Sequence, residues 1–378
     1  MKKAIFVSNT GFSLYNFRLS LMKHLSAIGW DITGIANDED NFRALFEKEN
    51  ISFINLNIDH KGKNFIKDIL FLLKLKKIYQ AENPLLVHHF TIKPVIFGSL
   101  AARIAKVPSI NNTITGLGYT FEKSGLLQEI VKMLYQFALN KNVQVIFQNH
   151  DDLDFLVSKK IIQAKQGHVV PGSGIDTETI LPKGHIIKKN ESSLLSFVLV
   201  SRMLWSKGIR EFVRAAEEVQ SQYPNTKFVM AGGFSGGGSK SNPKAVPEKW
   251  LDEVNQRGIV NWVKRIPSEQ VMKLLDDASV VVLPSYREGI PKALIEAAAK
   301  GKPIITTDSP GCRDVVKNGL NGFLVAPKNY EELRDSMIKF IKSPHLIQKM
   351  GRASRKIAAE KFDNKIIFNK ILKIYKSF

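Results

Sequence analysis

Apolar residues in this chain fall into short dense runs, separated by longer stretches in which they return every three or four positions. Ala4–Asn9, Asp31–Ala36, Ser52–Ile58, Leu85–Phe90, Ser109–Thr115 and Val143–Asn149 read as strands. Helical periodicity fills the intervals, as in Ser13–Leu25. A second series of strands follows at Phe197–Arg202, Lys227–Gly232, Val260–Ile266, Val280–Leu283, Ile304–Asp308 and Gly322–Ala326. Strands that alternate with helices predict parallel, doubly wound sheets. The stretch Leu181–Ser193, LPKGHIIKKNESS, is polar, contains Pro, Gly and four charges, and reads as a linker. The chain is therefore expected to form an N-terminal domain over 1–180 and a C-terminal domain over 181–362.

Two helical patterns stand apart. In Asn64–Gln80 the residues Phe65, Ile66, Ile69, Leu70, Leu72, Leu73 and Leu75 cover most of the circumference, and Lys63, Lys67 and Lys74 form a narrow stripe. Such a helix is either buried between a sheet and its neighbours or turns an apolar face to lipid with lysines at the headgroups. In Asp363–Phe378, Ile366, Ile367, Phe368, Ile371, Leu372, Ile374 and Tyr375 fill one half, and Lys365, Lys370, Lys373 and Lys376 the other. That helix either packs on a domain or acts as a basic amphipathic anchor.

The most informative stretch is Val280–Asp308, VVVLPSYREGIPKALIEAAAKGKPIITTD. A buried strand is followed by a loop, by Pro291 in the first turn of a helix, and by small residues that let the helix lie close on the sheet. A helix start at the carboxyl end of a buried strand is where open α/β sheets bind ligands, and it favours anions. The backbone from Gly289 and Ile290 through Lys292, Ala293 and Leu294 can cradle a diphosphate. Glu296, about 8 Å behind the helix start at ~1.5 Å per residue, would then lie near a ribose, and Glu288 near a sugar. A carboxylate only accepts hydrogen bonds, which suits a vicinal diol. Spacing alone equally allows a solvated helix Glu and an ordinary loop Glu.

Composition narrows the classes. The chain has 378 residues, 44% of them hydrophobic, and no apolar run near the ~18 residues of a spanning helix. MKKAIFVSNT reads as a first strand, not a signal peptide. One cysteine, Cys312, excludes an internal disulfide framework, and Cys312 itself reads as a packed thiol. The 55 Lys+Arg against 35 Asp+Glu give +20, of which residues 1–180 hold 21 basic and 16 acidic residues. An anionic partner follows: nucleic acid, a phosphate-rich ligand or an anionic membrane surface. No nucleic-acid module is present, and Ala231–Lys240, AGGFSGGGSK, fails the G-x-x-x-x-G-K-[ST] pattern in every register.

E-G-I-P-K-A-L-I-E, from Glu288 to Glu296, resembles the E-x7-E signature of retaining, GT-B-fold glycosyltransferases of the large nucleotide-sugar family 4. The resemblance implies an α/β fold of two Rossmann-like parallel-sheet domains facing each other across a cleft, the N-terminal one on the acceptor side. The helix 363–378 would pack back on that first domain. It also implies that Glu296 binds the donor ribose, Glu288 contacts the transferred sugar, and Gly289 to Leu294, Pro291 included, hold the diphosphate. Arg202 and Lys207, in S-R-M-L-W-S-K-G, resemble the family's diphosphate clamp; read alone they are two cations that can converge on one anion. One of His88 and His89, at a strand end, takes the family's sugar-contacting histidine role. Gly11, after Ser8-Asn9-Thr10, would let backbone approach a ligand or simply make a tight turn. Ile266, closing its strand, is assigned to the nucleotide side. Pro171-Gly172-Ser173-Gly174-Ile175-Asp176 resembles the family's N-G-V-D loop with Ser173 in place of Asn. Thr115-Gly116-Leu117-Gly118-Tyr119 is a close-approach loop or a plain turn, and Arg18 points to the cleft or solvates its helix.

The blocks SNTGFSLYNFR, SRMLWSKGIREF and VLPSYREGIPKALIEA are similar to bacterial enzymes that add N-acetylgalactosamine to undecaprenyl-diphosphate-linked diacetylbacillosamine. The expectation is a retaining, metal-independent transferase that needs no cofactor. It would move a GalNAc-like sugar from a UDP-sugar to a lipid-diphosphate-linked sugar acceptor, in the cytoplasm, on the inner face of the cytoplasmic membrane. No nucleic acid is involved. A sugar-nucleotide epimerase, a transferase with a soluble acceptor, and a basic nucleic-acid- or membrane-binding protein that binds no UDP are the competing readings.

Overall fold

The computed structural model describes residues 2–39, 41–58, 65–117, 126–140, 142–182, 195–234, 242, 244–264 and 266–376, with only the backbone of 126–128. The chain divides into two units, Met1–Gly174 with Asn364–Phe378, and Ile175–Asp363. The division falls at Gly174, ahead of the predicted linker, most of which lies outside the described residues.

The first unit holds seven parallel strands: β1 (Lys2–Thr10), β2 (Trp30–Asn37), β3 (Ser52–Asn55), β4 (Leu86–Phe90), β5 (Ser109–Ile114), β6 (Gln144–Phe147) and β7 (Gly167–Val169). Their order is β3-β2-β1-β4-β5-β6-β7. The second unit holds β8 (Ser196–Val200), β9 (Lys227–Ala231), β10 (Asn261–Val263), β11 (Val280–Leu283), β12 (Ile304–Thr307) and β13 (Gly322–Val325), in the order β10-β9-β8-β11-β12-β13. Each sheet starts in its middle, runs to one edge, then returns to the other side of its first strand. The strand order therefore reverses between β1 and β4, and again between β8 and β11. At such a switch point the flanking helices leave on opposite faces and open a crevice at the carboxyl ends of the strands.

Among the helices that flank these sheets are α1 (Gly11–Ala27), α2 (Phe65–Glu82), α3 (Leu126–Ala138), α4 (Ile209–Gln222), α5 (Lys292–Ala299) and α6 (Asn364–Tyr375). Thr10 caps α1 by accepting from the Ser13 amide at 3.2 Å, which satisfies one of the donors a helix start leaves open. Along β1 the pleat sends Ile5 and Val7 to one face of the sheet and Ala4 and Phe6 to the other. α2 and α3 cover the first face. α1 and α6 cover the second, where Ile367, Phe368, Ile371, Ile374 and Tyr375 of α6 are buried.

Helix α2 is not buried all round. Phe71, Leu75 and Tyr79 pack on the sheet, while Phe65, Ile66, Ile69, Leu70 and Leu73 are exposed, Ile66 by 70%. Ile130, Met133 and Phe137 of α3 are exposed as well, Phe137 at 66%. Among the described residues no helix is long and apolar enough to cross a membrane.

Candidate active site

The second unit's switch point brings together residues that lie far apart in sequence. The chain leaves β8 through Ser201 and Arg202, makes a short helical turn at Trp205–Lys207, and enters α4 through Gly208 in the left-handed region at φ 72°. A Cβ on Gly208 would lie 2.2 Å from the Pro284 carbonyl oxygen, so only glycine lets this turn seat against the end of β11. Opposite it, the loop from Pro284 leads to α5. The two loops are bonded together. The Tyr286 amide donates to the Ser206 carbonyl at 2.9 Å, and Ser285 Oγ donates to the same oxygen at 3.2 Å. The Tyr286 hydroxyl donates to Glu211 of α4 at 2.8 Å, and Lys207 Nζ pairs with the Glu288 carboxylate. Both members of that pair are largely buried.

A third segment, after β12, fixes the same loop from behind. Thr306 Oγ1 donates to Leu283 O at 2.6 Å, Thr307 Oγ1 donates to Ser285 O, and the Glu288 amide donates to Pro310 O at 3.0 Å. Gly311, at φ 79°, lies so close that a Cβ there would be 2.1 Å from Gly289 O. Cys312 is buried beside this loop, its thiol pushed up to about 11 by burial first and by the Glu288 carboxylate second. A thiol held in that form packs; it does not attack.

At the start of α5, Pro291 is the N-cap with no side-chain cap bond. Pro291 has no N–H to offer, and the Leu294 amide donates to Pro291 O at 3.0 Å. The expected run of amides from Ile290 to Leu294 is therefore shortened at both of these positions. Glu296 faces inward and is buried one turn along, with Lys292 Nζ at 3.7 Å. Burial raises its carboxyl above the usual carboxylate range, and Lys292 partly opposes this. Arg202 is exposed at the end of β8, and its side chain makes no ion pair among the described residues.

Other expected positions are placed elsewhere. His88 and His89 are interior residues, each bonded through both ring nitrogens to other side chains. His88 shares hydrogen bonds with Tyr375 OH at 2.5 Å and Thr113 Oγ1 at 2.7 Å. His89 does the same with Tyr79 OH at 2.9 Å and Asn112 Oδ1 at 3.0 Å. Burial holds both rings neutral, His89 at about 3. Neighbouring positions on a strand face opposite sides, so each ring is spent tying its own layer of helix to the sheet. Gly11 makes room for Phe42, whose Cβ would lie 2.6 Å from an added Cβ. Ile266 lies three residues beyond the end of β10, half-buried in a loop. Of the Thr115–Tyr119 loop, Gly118 and Tyr119 lie outside the described residues, as does most of Ala231–Lys240.

Glu211, Tyr286 and Gly311 belong to this cluster, and nothing in the sequence alone marks them. A tyrosine in S-Y-R-E-G and a glycine in S-P-G-C look like ordinary turn residues until the three loops are seen to meet. Together the residues form a cationic corner beside a helix start, with one buried carboxylate a turn behind it. That arrangement can hold a diphosphate and accept hydrogen bonds from a diol.

Residues 185–357 match the family of group 1 glycosyl transferases, and residues 3–149 match the glycosyl transferase 4-like family. The chain carries a glycosyltransferase 4-like domain followed by a group 1 glycosyltransferase domain. It is 25% identical, over 98% of its length and 97% of the other enzyme, to the N,N'-diacetylbacillosaminyl-diphospho-undecaprenol alpha-1,3-N-acetylgalactosaminyltransferase of Campylobacter jejuni. It is 26% identical, over 73% of its length and 71% of the other enzyme, to the Escherichia coli UDP-Gal:alpha-D-GlcNAc-diphosphoundecaprenol alpha-1,3-galactosyltransferase. In fold it is similar to Anabaena HepE in complex with UDP and glucose (TM-score 0.83, 17% identity, 100% of each chain). It is also similar to sucrose-phosphate synthase of Thermosynechococcus elongatus (TM-score 0.81, 18% identity, 100% of this chain and 98% of that one). The two units are the two Rossmann-like domains of a GT-B glycosyltransferase.

Proposed function

We propose that this glycosyltransferase moves an N-acetylhexosamine of the GalNAc type from a UDP-sugar to an undecaprenyl-diphosphate-linked sugar, with retention of configuration. The observation that carries the reading is the meeting of Lys207, Glu288 and the start of α5 at one switch point, with Glu296 buried behind them. The lipid-linked acceptor is supported by the names of the two relatives. Lys207 has three donors, so it can serve Glu288 and a phosphate oxygen together. As the bond from the anomeric carbon to the phosphate oxygen lengthens, charge grows on the diphosphate, and Lys207, Arg202 and the α5 start stabilise it. The departing phosphate oxygen takes the acceptor hydroxyl proton, and the acceptor oxygen bonds to the anomeric carbon on the face that UDP leaves. Glu288 accepts hydrogen bonds from the sugar and Glu296 from the ribose. A screen of UDP- and GDP-sugars for thermal stabilisation, followed by transfer to a lipid-linked acceptor, tests the reading. Stabilisation by GDP-sugars alone, or by neither class, would reject it.

A pH dependence follows. The ribose contact needs ionised Glu296, and burial moves protonation of this carboxyl to higher pH than usual. Donor KM should therefore rise as pH falls, starting above the ordinary carboxylate range. Glu296→Gln should raise KM at neutral pH and remove that acid limb. An acid limb unchanged in Glu296→Gln would take Glu296 out of the donor site.

The acceptor reading gives the exposed face of α2 and α3 an occupant: the anionic inner surface of the cytoplasmic membrane. On α2 the exposed apolar residues share the helix with exposed Lys67, Lys74 and Lys77. A basic residue near such a surface contributes about 1 kcal/mol, and full burial of each large apolar side chain about 1.5–3 kcal/mol. Binding to anionic vesicles should weaken with salt yet keep an apolar remainder, and Ile66→Glu with Leu70→Glu should abolish that remainder. Equal recovery of both proteins from neutral and anionic vesicles at two salt concentrations would exclude the membrane face.

A further inference from the structure

The first unit has its own switch point, between β1 and β4, and its most unusual residue is Arg18. Helical side chains lean toward the helix N-terminus, so from the second turn of α1 Arg18 reaches back toward the carboxyl ends of the strands. Its guanidinium lies over the ring of Phe90, the last residue of β4, 4.3 Å from the ring centre. The residue is only 6% exposed. Among the described residues no carboxylate pairs with it. Its Nε is enclosed without a hydrogen-bond partner, and its two terminal nitrogens make no hydrogen bond and are not fully enclosed. At the end of β1, the strand next to β4, Ser8 Oγ and Asn9 Oδ1 are also enclosed without partners. Thr91, which follows Phe90, is held at φ 71°, a conformation a β-branched residue rarely adopts.

A buried guanidinium without a counter-ion is costly, and stacking on one aromatic ring offsets only part of the loss. Burial lowers Arg18 to about 10, partly opposed by the Tyr375 hydroxyl, which still leaves it charged at neutral pH, and no carboxylate acts on it. Beyond the ring, a cation with five donors and an enclosed hydroxyl is matched by an oxyanion carrying several acceptors, which Asn9 would meet through its Nδ2 donor.

We infer that Arg18, with Ser8 and Asn9 at the β1–β4 switch point, binds the diphosphate of a prenyl-linked acceptor. This rests on the proposed acceptor class and assigns its charged group to a place separate from the α5 corner. Arg18 supplies the planar fork, Ser8 a hydroxyl donor and Asn9 an amide donor once its side chain turns.

The test uses the full chain with the α5 corner filled by saturating UDP. A short prenyl diphosphate should then raise the melting temperature further, and the matching prenyl alcohol should not. In Arg18→Met the added shift should vanish while the UDP shift stays. The acceptor KM should rise at least tenfold with donor KM unchanged, and the ligand-free melting temperature should hold or rise because an unneutralised buried cation has gone. Arg18→Lys should recover part of the shift. A prenyl diphosphate shift that is absent in the wild type or equal in Arg18→Met overturns the inference. So does an Arg18→Met protein that melts several degrees lower without ligand, which would make the guanidinium a packing element. Inorganic pyrophosphate acting where prenyl diphosphate does not would overturn the acceptor assignment. If UDP gives no shift, the donor reading fails, and the loss of the prenyl diphosphate shift in Arg18→Met still decides this one.

Discussion

Replacing Lys207 by alanine is expected to lower turnover with a UDP-sugar by roughly 10²–10³-fold, the loss typical of removing one preorganised donor from a developing oxyanion. Lys207 touches both sides of the corner, through its pair with Glu288 and its seat in the turn that Gly208 locks against Pro284. The same change should leave the fold intact, because the loops remain joined by Tyr286, Ser285 and Glu211. Lys207→Arg should recover only part of the rate, since the planar fork cannot occupy the place of a compact ammonium. Arg202→Ala should cost about 10²-fold in the same assay. Activity should persist in EDTA, the outcome expected of a leaving diphosphate held by two cations and a helix start. Steady-state rates with and without EDTA check all of this. A Lys207→Ala enzyme within threefold of the wild type would remove the clamp from the mechanism, and activity restored only by Mg²⁺ or Mn²⁺ would remove its metal independence.

Gly311→Ala should damage both the stability and the rate of the second unit. Its φ of 79° alone costs an L-residue about 1–2 kcal/mol. The new Cβ also meets Gly289 O at 2.1 Å and Glu288 O at 2.5 Å, both backbone atoms with nowhere to rotate. The loop must therefore shift and carry Glu288 and the start of α5 with it. A misplacement near 1 Å costs on the order of 10²-fold in rate, so turnover should fall by that much while the protein also melts earlier. Gly319→Ala is the control: φ 76°, with nothing within 4 Å of the added Cβ. It should lose a similar backbone term and keep its rate. If both variants keep full activity, Gly311 does not position the loop.

Much of this architecture is legible in the residues themselves. All twelve expected strands are present, because the central parallel strands are buried and leave a dense apolar signature that flanking turns delimit. β7 is an addition: Gly-His-Val has no apolar run, and it becomes a strand only by pairing with the edge of β6. The ends of β8, β10 and β12 fall one to three residues earlier than expected, since the polar residues that follow them leave the ladder to build loops. Histidines at a strand end look like site residues because position along a strand is readable and the partner across space is not. Tyr375, which bonds His88, lies 287 residues away. The same blindness hides Gly311, whose constraint comes from Gly289. It also leaves α2 undecided between burial and exposure, since periodicity says how apolar a helix is but not how many neighbours the fold will supply.

The division of the chain has a consequence during synthesis. The first unit begins at residue 1 but is completed by Asn364–Tyr375, with the whole of the second unit made in between. At about 5–20 residues per second, the first sheet waits roughly ten to forty seconds on the ribosome for its last helix. Throughout that interval Phe6, Leu21, Leu25 and Phe90 lack the cover that α6 provides, and His88 lacks Tyr375. A chain truncated just before residue 364 would thus carry a completed second unit and a first unit still open along one face. Such a product is a natural client for chaperones, and it meets their preference for exposed apolar surface with the half of the protein that was made first.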